Sequence, residues 1–167
     1  MSDTTVDSVE FCRAGESRSG VTPVAALRRL GAELADTSGE LQWTITGGRH
    51  PTGVPQMTMQ VAGEVRLVCQ RCLAPFAHAI ATDTVLVIAR DEADADETEE
   101  RLDDDSIDVI VGDAQQDLLQ LVEDDTLLAL PLSPRHDTCP GEVPAVPQDQ
   151  RESPFAALKG LKNEGLA

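Results

Sequence analysis

Two thiols at C-x-x-C spacing, Cys69 and Cys72, end a run in which apolar and polar residues alternate: MTMQVAGEVRLVCQRC, residues 57–72. An acidic Leu-rich segment stops at Pro131 and leads to His136, sixty-four residues after Cys72, and to Cys139 at H-x-x-C spacing. A tetrahedral metal ion takes four sulfur and nitrogen ligands, and two such pairs supply them. If the pairs converge, the loop after Pro131 must fold back on the strand end that carries Cys69. That condition restricts the topology more than any other feature of the chain.

The period-two pattern around the first pair is extensive. Leu41, Trp43 and Ile45 alternate in LQWTIT, and Met57, Met59 and Val61 do so after the turn-rich GGRHPTGVP. Val65, Leu67 and Cys69 follow an expected break at Gly63-Glu64. Residues 77–90, AHAIATDTVLVIAR, alternate and then become wholly apolar, and SIDVIV at 106–111 returns as a strand. Such segments read as antiparallel strands with one buried face. VDSVEFCR at 6–13 is expected as a further short strand, with Val9 and Phe11 on one side.

Helical spacing occurs in three places. Thr22 followed by Pro23 is a start signal, and Val24, Leu27, Leu30 and Leu34 form a stripe that predicts a helix over 22–35. Asp113 is a cap for a helix over 114–130, with Leu118, Leu121 and Val122 on its core face. After a Pro-rich linker at 140–152, Ser153-Pro154 opens a short docking helix at 153–162, with Phe155, Leu158 and Leu161 on one side.

The net charge is −17, and aromatic residues make up 2% of the chain. Residues 91–105, DEADADETEERLDDD, carry ten acids and one Arg and so contribute −9. Like charges at this density predict a solvated loop. The remaining −8 still opposes broad contact with phosphate. The lack of Tyr and the scarcity of Phe argue against an aromatic platform for single-stranded RNA. The start MSDTTVDS has neither a basic n-region nor an apolar h-region, and no apolar run reaches membrane-spanning length. The expected compartment is the bacterial cytoplasm, where C-x-x-C signals metal or redox chemistry rather than a disulfide.

Cys69, Cys72, His136 and Cys139 therefore stand as candidate ligands of a structural zinc. The bland alternative is small buried thiols and a loop histidine. A thioredoxin-like role fits less well, because Leu73-Ala74-Pro75 leads into another strand and not into a helix. Arg66, Arg71 and Arg90 flank the strand ends and are candidates for a small basic patch.

The combination of VCQRCLAPF, IDVIV, DLLQLVEDDTLLALPLSPRHDTC and SPFAALKGLK resembles the YceD family of large ribosomal RNA subunit accumulation proteins. The resemblance runs over most of residues 61–162, and E-D-x-x-L-L-A-L-P-x-x-P-x-H is its most specific part. It implies a non-enzymatic factor for synthesis, processing or accumulation of large-subunit (23S) rRNA. Many relatives carry a fuller cysteine cluster after the histidine. This chain has only His136 and Cys139 before Pro140-Gly141, which fits a site that is degenerate or lost.

These readings predict an α+β domain over 1–139, with a mostly antiparallel, curled sheet, two main helices and a short C-terminal helix. Expected partners are a basic ribosomal protein or assembly factor, or the large-subunit rRNA itself. Glu123 and Asp124, on the family match and expected to face outward, form the candidate partner surface with Arg135, Arg66, Arg71 and Arg90. The rival reading is a zinc- or thiol-dependent enzyme built on Cys69 and Cys72.

Overall fold

A computed structural model describes residues 4–104 and 106–140. Its centre is a mixed five-stranded sheet in the order β2-β3-β4-β5-β6. The strands are β2 (Ser17–Pro23), β3 (Glu40–Arg49), β4 (Pro55–Val68), β5 (Pro75–Ala89) and β6 (Ile107–Val111). Consecutive strands from β2 to β5 are antiparallel, and β6 joins parallel to β5. A two-residue ladder pairs β1 (Thr5–Val6) with β7 (Gln116–Asp117). The chain is thus α+β with a mostly antiparallel sheet. The expected linker and docking helix, 140–152 and 153–162, lie outside the described residues from 141 onward.

Alternation sets which face of the sheet is buried. Leu41, Trp43 and Ile45 of β3 face inward beside Met57, Met59, Val61, Val65 and Leu67 of β4. The expected break at Gly63-Glu64 does not occur. Met57 through Cys69 keep one odd-numbered phase, and Gly63 sits within it opposite Leu41. A Cβ there would lie 2.5 Å from the Glu40 carbonyl oxygen, so glycine permits the close approach and β4 runs on unbroken.

Further local expectations change. Residues 8–14 form helix α1 (Ser8–Ala14), not a strand. Asp7 accepts the Glu10 N–H as an N-cap, and Gly15 closes the helix in the left-handed region (φ 64°). The predicted helix over 22–35 is mostly strand and turn. Thr22 belongs to β2, and its hydroxyl accepts the Trp43 indole N–H at 2.9 Å, so it caps nothing. Only α2 (Arg28–Glu33) is α-helical, after a single 3-10 turn at Val24–Ala26.

The acidic run is also helical: α3 spans Glu92–Leu102. A parallel pair such as β5–β6 needs a crossover connection, and α3 supplies it. Asp91 caps it by accepting the Asp94 N–H, and Glu92 and Asp94 in the first turn suit the helix dipole. Thr98 is its one buried residue. The run is therefore not a loop but the helix that carries the chain from the end of β5 to its parallel neighbour β6.

The last described helix, α4 (Leu118–Ala129), begins four residues later than expected, with Asp117 as its cap. Residues 116 and 117 are taken by β7. Leu118 and Val122 are fully buried against the sheet, each contributing about 1.5–3 kcal/mol, whereas Leu121 is only partly covered. Among the described residues, no helix is long and apolar enough to cross a membrane.

Candidate metal centre

The β4–β5 connection is a tight turn. The Cys69 N–H donates to the Ala74 carbonyl at 3.0 Å, and the Leu73 N–H donates to the Cys69 carbonyl at 2.9 Å. Leu73 takes the left-handed conformation (φ 61°), unusual for a branched residue, and this closes the turn. Cys69 is fully buried and Cys72 is partly buried on the same turn.

The loop after α4 folds onto this turn. The Gln70 N–H donates to the Pro134 carbonyl at 2.9 Å, and the Ser133 hydroxyl bonds the Gln70 side-chain oxygen at 3.0 Å. The rings of Phe76 and His136 pack with centroids 4.8 Å apart. Arg71 crosses between the segments, its Nε 2.9 Å from Cys139 Sγ.

These contacts bring Cys69, Cys72, His136 and Cys139 together, with one ligand atom of each within 4.8 Å of all the others. Cys69 Sγ and Cys139 Sγ are 3.8 Å apart, and Cys72 Sγ is 3.4 Å from His136 Nδ1. A tetrahedral ion with Zn–S bonds of about 2.3 Å sets its sulfurs roughly 3.8 Å apart. The four residues lie close enough to hold a metal ion, and three thiols with one imidazole form a donor set that suits zinc.

The two thiols of the turn are shifted in opposite directions. Burial pushes the Cys69 thiol up, but bonds from the Cys72, His136 and Arg71 N–H groups outweigh it and bring the thiol down to about 5. For Cys72, the Ala74 N–H lowers the thiol. Burial and the neighbouring Cys139 and Cys69 sulfurs overcome that, leaving it above the ordinary value. The thiolate is the metal-binding form, and Cys69 is the thiol of the turn held toward it.

The other candidate residues are dispersed. Arg66 faces Asp36, its Nε 3.8 Å from the carboxylate. Arg90 pairs with Asp94 at 2.8 Å. Ala77 of β5 is opposite Arg66, and Arg90 follows the far end of β5. Thirteen residues of strand separate those positions, roughly 40 Å along the sheet, so Arg66 and Arg90 do not share a patch. Arg71 belongs to the thiol cluster, and Arg135 is exposed beside it.

Glu123 does not face outward. It is 8% exposed and accepts the Arg29 and Leu30 N–H groups at 2.7 and 3.1 Å and the Arg29 guanidinium at 2.9 Å. Burial raises its carboxyl, but those bonds prevail and hold it below the ordinary range. It fastens the start of α2 to α4. Asp124, half-exposed, holds Arg29 from the other side at 2.5 Å. No spacing rule links Arg29 to Glu123, so this pair could not be read from the sequence. Nor could the bonds from Thr82 and Thr84 of β5 to Asp125 of α4.

The fold and the cluster define an α+β domain whose thiol–imidazole set joins a hairpin turn to the loop after the last described helix. The family described as large ribosomal RNA subunit accumulation protein YceD matches residues 57–162, well over half the chain, and the chain belongs to that family. It is similar to the large ribosomal RNA subunit accumulation protein YceD of Haemophilus influenzae, with 26% identity over 169 residues covering 96% of this chain and 95% of that protein. No solved structure matches the chain.

Proposed function

We propose that this chain is a non-enzymatic factor of ribosome biogenesis that supports synthesis, processing or accumulation of large-subunit 23S rRNA in the bacterial cytoplasm. The observation that carries this is the family match, which spans the thiol turn, α4 and the loop with His136 and Cys139. The charge of −17 then chooses among modes of action. It favours contact with a basic ribosomal protein or assembly factor and opposes broad contact with RNA phosphate.

Within that reading, Cys69, Cys72, His136 and Cys139 hold a structural zinc. Four protein ligands leave no position for water or substrate, so the ion would supply cross-linking of two distant segments and not Lewis-acid chemistry. The low pKa of Cys69 is the one feature that speaks for a thiol enzyme. Against it, Cys69 is fully buried and its sulfur faces Cys139.

The test is rRNA stoichiometry. In cells depleted of the protein, the ratio of 23S to 16S rRNA is expected to fall and to return when the unmodified chain is supplied. An unchanged ratio in depleted cells would sink the proposal.

A further inference from the structure

A second stripe of α4 runs beside the core-facing one and reaches solvent at Asp124 and Leu128. Leu118, Val122 and Thr126 are fully buried. Leu121, Asp124, Asp125 and Leu128 follow at spacings of three, four and seven, which place them on another single face. Leu128 is 82% exposed although it ends a well-packed helix. The face borders a groove of about 340 Å³ whose opposite wall carries Glu99 of α3 with Asp108 and Val109 of β6.

The acids of this groove are not equivalent. Asp124 is engaged by Arg29, and Asp125 by the Thr82 and Thr84 hydroxyls. Glu99 and Asp108 have no side-chain hydrogen bond or ion pair among the described residues. The groove therefore offers two free carboxylates on one wall and an exposed leucine on the other. It continues into the acidic surface of Asp96, Glu100, Asp103 and Asp104.

We infer that this groove between α4, α3 and β6 is a docking site for a basic protein segment. Lys or Arg of that segment would meet Glu99 and Asp108, and an aliphatic side chain would cover Leu128 and Leu121. Charge selects the occupant. RNA would bring phosphate to uncompensated carboxylates, and a second copy would bring its own −17. A cationic partner is attracted, and the leucines give it a place to anchor that charge alone does not. This deepens the proposed contact with a basic protein and rests on that reading for its biological setting. It also moves the contact from Glu123 to the neighbouring face.

The test uses the full chain and fluorescence anisotropy with two labelled peptides, one repeating Lys-Lys-Leu and one repeating Lys-Lys-Gly. The unmodified chain is expected to bind the leucine peptide more tightly. Leu128→Ser should weaken that peptide about tenfold and leave the glycine peptide unchanged. Glu99→Gln with Asp108→Asn should weaken both peptides and reduce the dependence on salt. Equal binding by both variants and the unmodified chain overturns the inference, as does failure of the unmodified chain to bind the leucine peptide. So does an RNA hairpin whose binding Leu128→Ser abolishes, or a dimer that the same change dissociates. Tighter peptide binding by Lys159→Glu with Lys162→Glu would assign the groove to the chain's own C-terminal segment. None of these readouts involves rRNA levels, so the groove can fail while the 23S phenotype stands, and the reverse.

Discussion

The two ends of the sheet are held by different means. At one end, the β4–β5 turn and the loop after α4 are far apart in sequence and meet through sulfur, imidazole and guanidinium groups. At the other, β5 and β6 are joined by α3, which is secured by its own caps and buries one residue. A ligand can strengthen the first end sharply because its ordering is non-local. The second rests on helix caps and the parallel β5–β6 ladder, with no thiol or imidazole among its contacts. The difference suggests a division of labour: a rigid clamp at the thiol end and an acidic, lightly packed face at the crossover end.

Metal removal should separate the ends most strongly. With free zinc a thousandfold above its dissociation constant, binding stabilises the fold by about 4 kcal/mol. For a chain of this size that is about 8–16 °C in thermal midpoint. Chelation, or Cys72→Ser, is expected to remove that increment and to raise hydrogen exchange at Gln70, whose N–H is held by Pro134. Exchange in α3 should stay as it was. Zinc content near zero in the purified chain, with no response to added zinc, would dissolve the contrast.

The sequence declared the clamp more clearly than the crossover, for physical reasons. C-x-x-C and H-x-x-C spacings mark candidate ligands wherever they lie, and the strand pattern placed Cys69 at a strand end. Alternation from Leu41 to Ile45, from Met57 to Val61 and from Val65 to Cys69 showed the buried face, but the break expected between the last two does not exist, because Gly63 keeps the phase by tolerating the close approach of Glu40. Charge density misled at α3, where repulsion argued for a loop. Good helix formers, an Asp cap and the demand for a parallel crossover outweighed it. Thr22 misled for a different reason: its hydroxyl serves Trp43, a partner 21 residues away. The Asp7-x-x-Glu10 cap was present in the sequence, but two alternating apolar residues obscured it. Glu123 looked outward because its partner Arg29 is 94 residues distant.

Glu123 provides a pH test between the ends, of smaller size. Its folded carboxyl titrates below the ordinary value because Leu30 and Arg29 bond its charged form against the cost of burial. A depressed pKa contributes stability that is fully present above the unfolded value, near 4.3. It is lost as the pH falls through the folded value. The advantage of the unmodified chain over Glu123→Gln in thermal melts should be constant from pH 7 down to about 5 and narrow below about 4. A gap that stays constant to pH 3 would mean that Glu123 acts through shape and not charge.

The smallest effect belongs to the crossover cap. Asp91 accepts the Asp94 N–H at 2.9 Å, and nothing in the core depends on its side chain. Replacing an N-cap Asp by Ala typically costs about 1 kcal/mol. Asp91→Ala should therefore lower the midpoint by about 2–4 °C. Arg90 stays on Asp94 through its own bonds, which limits how far the helix start can unwind. Amides in the first turn of α3 should exchange faster, while Gln70 and zinc affinity remain unchanged. If the variant instead loosens the thiol turn, the ends are coupled through β5, and the division between a clamp and an independent acidic face is wrong.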